Sequence, residues 1–98
     1  MIYVGPLVTP TSRTPRAVRA RGRAARMIAD DVDELVECAR MLGLDKGPLR
    51  RRPWPHYWLT PPMRLLAIRK FKARELSATE LGQRARTLYS GQVRRKLL

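Results

Sequence analysis

All eight prolines of this 98-residue chain fall in two zones, 6–15 and 48–62, and they decide where regular structure can run. A proline inside a helix or a central strand removes an amide donor and crowds the preceding turn. In the first zone, Gly5-Pro6 ends the β-branched and aromatic opening "MIYV", a short strand candidate. In the second zone, Pro48, Pro53 and Pro55 punctuate residues 45–58, "DKGPLRRRPWPHYW", which read as loop. Pro61 and Pro62 act differently. Thr60 precedes them as an N-cap, and in the first helical turn the missing N–H costs nothing.

Between and beyond these zones the apolar spacing is helical. "RMIAD", 26–30, suits a second strand or the lead-in to a helix. Asp30 or Asp31 is a good N-cap, and Asp33 and Glu34 complement the positive end of the helix dipole. Val32, Leu35, Val36, Ala39 and Leu42 then follow one face until Gly43. Cys38 lies one turn from Leu35 and Leu42 and reads as a small buried hydrophobe. After Pro61, the residues Met63, Leu66, Ala67 and the stem of Lys70 form a stripe that Leu65 and Ile68 widen. "ARELS", 73–77, reads as a third strand. Ser77 and Glu80 make a capping box ahead of Leu81, Ala85 and Leu88, in a helix that Gly82 weakens. The expected fold is α/β of the α+β kind. One small domain spans 1–90, with two to three short strands, about three helices, a basic arm or long loop at 9–26, and a basic tail at 91–98.

Charge is the second constraint. The formal net charge is +13, yet six of the eight acids lie within residues 30–45 (Asp30, Asp31, Asp33, Glu34, Glu37, Asp45). Arg40 is the one basic residue inside that interval. Twenty cations remain elsewhere against Glu75 and Glu80. A field so one-sided attracts polyanions or an acidic protein face. In the arm, Arg13, Arg16, Arg19, Arg21, Arg23 and Arg26 recur every two or three positions, which leaves no continuous apolar helix face. Residues 16–26 can turn helical on a partner, since Ala and Arg both favour helix. Arg50, Arg51 and Arg52 precede Trp54, Tyr57 and Trp58. Guanidinium forks match phosphate oxygens, and aromatics beside them stack on single strands or RNA loops. Two blander explanations compete: a GC-rich genome inflates arginine, and the same aromatics can anchor a protein partner.

Other chemistry is thinly represented. A lone cysteine permits neither an intrachain disulfide nor a thiolate cluster, and a reduced cytoplasm, bacterial if the origin is phage, suits it. No run approaches the ~18 apolar residues of a membrane span. The acid-free first 29 residues faintly resemble a transit peptide, but Pro6, Pro10 and Pro15 oppose its amphipathic helix. No metal-ligand set, phosphate-binding glycine loop or nucleophile elbow is present, so no cofactor is expected. Asp30, Asp31 and Asp33 read as helix-start chemistry. His56 can be drawn as a general base with Arg64 holding an anion and Tyr57 donating a hydrogen bond. The simpler account is a histidine bonded to loop backbone.

Several fragments resemble one family: "IYV" at the start, "MIAD" before an acidic helix, "HY" before a Thr-Pro turn, and an R-x-x-A-[IV] helix. This is the phage and bacterial family termed domain of unknown function 4031, and the likeness runs from about Met1 to Leu81. The pattern falls on Tyr3, on Met27, Ile28, Ala29 and Asp30, on His56 and Tyr57, and on Arg64. It implies a compact α/β domain of frequent phage or prophage origin, with no established activity. Three departures stand out. Gly5 replaces the aspartate after "YV", Arg26 replaces the histidine before "MIAD", and "FKA", 71–73, replaces the Gly-Ala that ends the second helix. The first two remove an acid and an imidazole and move weight away from catalysis.

Three functions follow as expectations. The first is a non-enzymatic phage accessory protein that meets nucleic acid or a nucleoprotein through the arginines, with Trp54 and Trp58 stacking on bases. The second is an interaction module that grips an acidic host protein surface. The third is an enzyme acting on a nucleotide or nucleic acid through His56 and Arg64.

Overall fold

The computed structural model describes residues 1–9, 22–44, 49–50 and 54–97, with backbone alone from 90 onward. Four strands and three helices follow in the order β1 (Ile2–Val4), β2 (Ala25–Ala29), α1 (Val32–Met41), β3 (Tyr57–Leu59), α2 (Pro61–Phe71), β4 (Arg74–Glu75) and α3 (Ala78–Leu97). The strands form one mixed sheet in the order β3-β2-β1-β4. β1 pairs antiparallel with β2 and parallel with β4, while β3 pairs antiparallel with β2. The α+β class expected from sequence is the class observed.

Strand alternation divides the core in two. Ile2, Val4, Met27, Ala29, Tyr57 and Leu59 face α1 and α2, where they meet Leu35, Cys38, Ala39, Leu42 and Ala67. Tyr3 and Ile28 point the other way and meet Leu81, Ala85 and Tyr89 of α3. The sheet is therefore covered on both faces. Tyr89 pins the second layer, its hydroxyl donating to the Ala29 carbonyl at 2.5 Å. Burial pushes that phenol up to about 12.

Local chemistry explains the helix ends. Asp31 is the N-cap of α1, its carboxylate accepting from the Glu34 amide at 2.7 Å. Gly43 follows the helix at φ +85, a backbone region glycine adopts without strain. The Ser77–Glu80 box forms in both directions, each bond 3.2 Å long. Thr60 caps α2 by position only and makes no side-chain cap bond.

Four expectations need correction. Tyr57 and Trp58, read as the end of the 45–58 loop, are strand, because Arg26 and Trp58 sit opposite each other in the β2–β3 ladder. The arm is shorter than 9–26, since Val8 bridges Ala24 and β2 begins at Ala25. Residues 91–97 continue α3 and are no separate tail. On α2, Ala67 is buried with Met63, Ile68 and Phe71 packed beside it, while Leu65 and Leu66 are exposed. Among the described residues, no helix is long and apolar enough to cross a membrane.

Candidate functional site

The face of the sheet that carries Tyr3 and Ile28 is roofed by α3, but the roof stops short of the next cross-strand pair. That pair is Arg26 on β2 and Trp58 on β3. An open cleft of about 330 Å³ remains there, lined by Gly5, Pro6, Val8, Thr9, Arg26, Trp54, Trp58, Ala78, Leu81 and Gly82. Its volume lies at the bottom of the roughly 300–1,000 Å³ typical of small-ligand sites.

Glycines shape the cleft. A Cβ on Gly5 would lie 3.0 Å from Leu81 Cδ2, so the bare backbone lets β1 and α3 approach. At Gly82 an added Cβ would meet the Trp54 ring edge at 3.9 Å, an ordinary contact. Gly5 and Arg26 are also bonded neighbours, the Gly5 amide donating to the Arg26 carbonyl at 2.9 Å.

Arg26 supplies the cationic group of the cleft. The Arg26 guanidinium carbon sits 4.9 Å from the Trp58 ring centroid, in a cation–π stack worth about 0.5–2 kcal/mol. Arg26 Nε is buried with no hydrogen-bond partner, and so is Trp54 Nε1. Neither group can accept, so each needs an acceptor and lacks one. An unsatisfied buried donor costs about 1–3 kcal/mol.

His56 underlies this wall. It is 3% exposed, packs edge-on to Trp58 with ring centroids 6.0 Å apart, and donates from Nδ1 to the Trp54 carbonyl at 2.8 Å. Burial holds the imidazole below its ordinary value, opposed by the Trp54 hydrogen bond and helped by the charges of Arg26 and Arg50. The ring is accordingly neutral at pH 7 and braces the turn that presents Trp54. Arg64 is committed elsewhere, with Nε donating to the Gly5 carbonyl at 2.8 Å and Nη2 to Glu75 at 3.0 Å. It ties α2 to the end of β1 and to β4.

The expected site residues therefore separate. Arg26, Trp54 and Trp58 come together. Tyr57, grouped with the tryptophans in sequence, faces the opposite core. Arg23 is exposed beside the hairpin and donates to the Leu7 carbonyl at 3.3 Å. Arg50 bridges His56 through backbone bonds of 2.8 and 3.1 Å. Arg13, Arg16, Arg19, Arg21, Arg51 and Arg52 lie outside the described residues. Their places in the chain are still informative. Residues 10–21 connect to Thr9 and residues 51–53 to Trp54, and both attachment points line the cleft. Sequence reasoning missed Gly5, Val8, Leu81 and Gly82 as lining residues. The signal that could have found Gly82 was a glycine inside a helix with no turn to make.

A second hollow of about 240 Å³ lies along α3, lined by Arg74, Leu76, Glu80, Gln83, Arg84 and Thr87. Arg84 is stacked 5.1 Å from the Tyr3 ring centroid, whose hydroxyl donates to Asp30 at 2.9 Å. Glu80 is already engaged in the Ser77 cap. Among the described residues, no cluster of His, Cys, Asp or Glu is arranged to hold a metal ion. Compared with protein-family models, with curated proteins and with solved structures, the chain matches none.

Proposed function

We propose that this chain is a non-enzymatic basic binding protein, of phage or prophage origin, that contacts nucleic acid or a nucleoprotein through its arginine-rich segments. The observation that carries the reading is the attachment of residues 10–21 and 51–53 to the rim of one cleft that holds Arg26 stacked on Trp58. Six further arginines, Arg13, Arg16, Arg19, Arg21, Arg51 and Arg52, belong to those segments, which join the described chain at Thr9 and Trp54. Phosphate is the anion that guanidinium forks match best in pairs, and a planar base suits an indole wall. The resemblance to the domain of unknown function 4031 family belongs to the same proposal. Its two lost groups map to Gly5 and Arg26, bonded neighbours in the cleft, so an acid and an imidazole give way to open space and a cation.

The test is the salt dependence of binding to a fluorescently labelled single strand. Each neutralised phosphate contributes a slope of about −0.7 in log K against log salt. Replacing Arg13, Arg16, Arg19 and Arg21 together by Ala is expected to flatten the slope by roughly two to three units. A wild-type affinity that hardly moves between low and moderate salt would count decisively against the proposal.

One observation favours a second reading, a module that grips a host protein. Leu65 and Leu66 on α2 and Val36 and Met41 on α1 are exposed apolar side chains on the layer opposite the cleft. Co-purification of a protein that survives nuclease and moderate salt would support it.

A further inference from the structure

The cleft beside α3 has a chemistry of its own, apart from the basic segments. Pro6, Val8, Trp54, Trp58 and Leu81 give it apolar and aromatic walls. Gly82 leaves it open where a side chain would project toward the Trp54 ring. Among the described lining residues there is no Asp or Glu, and Arg26 is the one ionisable group. Small-ligand sites are built in this way, mostly apolar with a few polar groups that fix orientation.

Arg26 has donors to offer. Among the described residues its side chain stacks on Trp58 and has no hydrogen-bond or ion-pair partner. Of its unpartnered nitrogens, Nε is buried and the two terminal ones, Nη1 and Nη2, are not. Stacking engages the flat face of a guanidinium, while its N–H groups point outward in the plane and stay free for a paired contact with a carboxylate. The buried Nε takes no part in that contact.

Charge and size select the occupant. A cation is repelled by Arg26 and by a net charge of +13. A polyphosphate finds one cation and no second charge partner among the described lining residues. A neutral ring leaves Arg26 unused. At about 330 Å³ the space suits a body of one or two fused rings. We infer that the cleft binds a small aromatic carboxylate, its flat body among Val8, Trp54 and Leu81 and its carboxylate paired with the terminal nitrogens of Arg26. The site goes beyond the proposed function and does not depend on it, since the ligand is a free small molecule and no part of a strand.

The chain holds two tryptophans, Trp54 and Trp58, and both line the cleft. The two indole N–H signals in an NMR spectrum of isotopically labelled protein therefore report on this place. Four ligands are titrated into the intact chain: naphthoate, the neutral naphthalenemethanol, the cationic naphthylmethylamine, and acetate, which carries the carboxylate without the rings. Naphthoate is expected to shift the indole signals with a Kd on the order of 0.1 mM. The alcohol is expected to bind about tenfold more weakly, having lost a charge-assisted hydrogen bond, and the amine more weakly again. Acetate buries no ring and is expected to bind at least about a hundredfold more weakly than naphthoate. Arg26→Gln should bring naphthoate down to the level of the alcohol. Gly82→Leu fills the cleft from α3 and should weaken naphthoate and alcohol alike by at least about tenfold, with the helical circular dichroism unchanged. Alcohol or amine binding as tight as naphthoate overturns the pairing with Arg26. Indole signals that stay fixed, whether naphthoate binds elsewhere or nowhere, overturn the site. The ligand comparison uses the unaltered chain, so a variant that folds poorly cannot decide the matter. Single-strand affinity is read in its own titration, so either result can fail without the other.

Discussion

Arg26 is where the sheet and the charge of this protein meet in one side chain. As the second residue of β2 it takes the face opposite Met27, which sends its guanidinium over Trp58 and leaves its Nε buried. Lys72 is the second residue whose backbone decides its meaning. It ends α2 at φ 54 and ψ 38, a left-handed conformation, with its amide donating to the Ala67 carbonyl. A side chain there crowds the following carbonyl at about 1–2 kcal/mol, a penalty glycine does not incur. Lys72→Gly is therefore expected to raise the unfolding free energy by about 1 kcal/mol, read as a higher urea midpoint at unchanged slope. A lower midpoint would mean that the lysine stem packs on the helix end. Among the described residues, Lys72 is the one non-glycine residue at positive φ. Legibility at this scale is uneven for a definable reason. Cys38, Asp31, Gly43 and the Ser77–Glu80 pair were readable because their roles depend on neighbours three or four residues away. Arg26 was readable only as one of six arm arginines, since nothing local separates an arginine in a strand from one in a loop.

Helices and strands differ in the same way. α1 was legible from its cap, its glycine stop and the Leu35, Cys38, Ala39 and Leu42 part of its stripe, while Val36 is exposed and Val32 packs on the other core. β3 was not: three residues between Pro55 and Pro61 carry too little pattern, and the ladder to Ala25, Arg26 and Met27 creates it. A short strand is a property of its partner as much as of itself. α2 misled for a related reason. Leucines usually face a core, yet here Ala67 is buried and Leu65 and Leu66 are exposed, because the small residue lets the helix lie close to the sheet. The two caps give a clean contrast at this scale. α3 supplies Leu81, Ala85 and Tyr89 to the core that holds Tyr3 and Ile28, so its first turn is coupled to that second core. Ser77→Ala removes the acceptor of the Glu80 amide and is expected to cost about 1 kcal/mol. Thr60→Ala removes no cap bond and is expected to cost no more than about 0.5 kcal/mol. Urea titration of the two variants side by side checks the difference. Equal losses would mean that Thr60 caps α2 in solution, or that α3 frays without consequence.

Over the whole molecule, charge is segregated as well as excessive. Asp30, Asp31, Asp33 and Glu34 gather where β2 passes into α1, and Asp30 and Glu34 also lie 3.2 and 2.5 Å from the amine of Met1. The other described ion pairs, Arg40–Glu37 and Arg64–Glu75, are few against a formal charge of +13. Exposed pairs contribute about 0–1 kcal/mol each and weaken in salt. Self-repulsion among twenty-one basic residues weakens in salt too, with a screening length near 10 Å at 0.1 M. Repulsion has the larger number of partners, so screening it should win. Raising sodium chloride from about 0.05 to 0.5 M is expected to raise Tm by roughly 5 °C, about 1 kcal/mol for a domain of this size. Over the same range, single-strand affinity should fall by orders of magnitude. The opposed signs separate the functional explanation of the arginines from the compositional one. Arginines that merely reflect a GC-rich genome would still repel one another and show the thermal rise, but without a complex for salt to dissolve. A Tm that drops with salt would show that the few pairs around Met1, Glu37 and Glu75 outweigh the repulsion, and the picture of a fold held together against its own charge would fail.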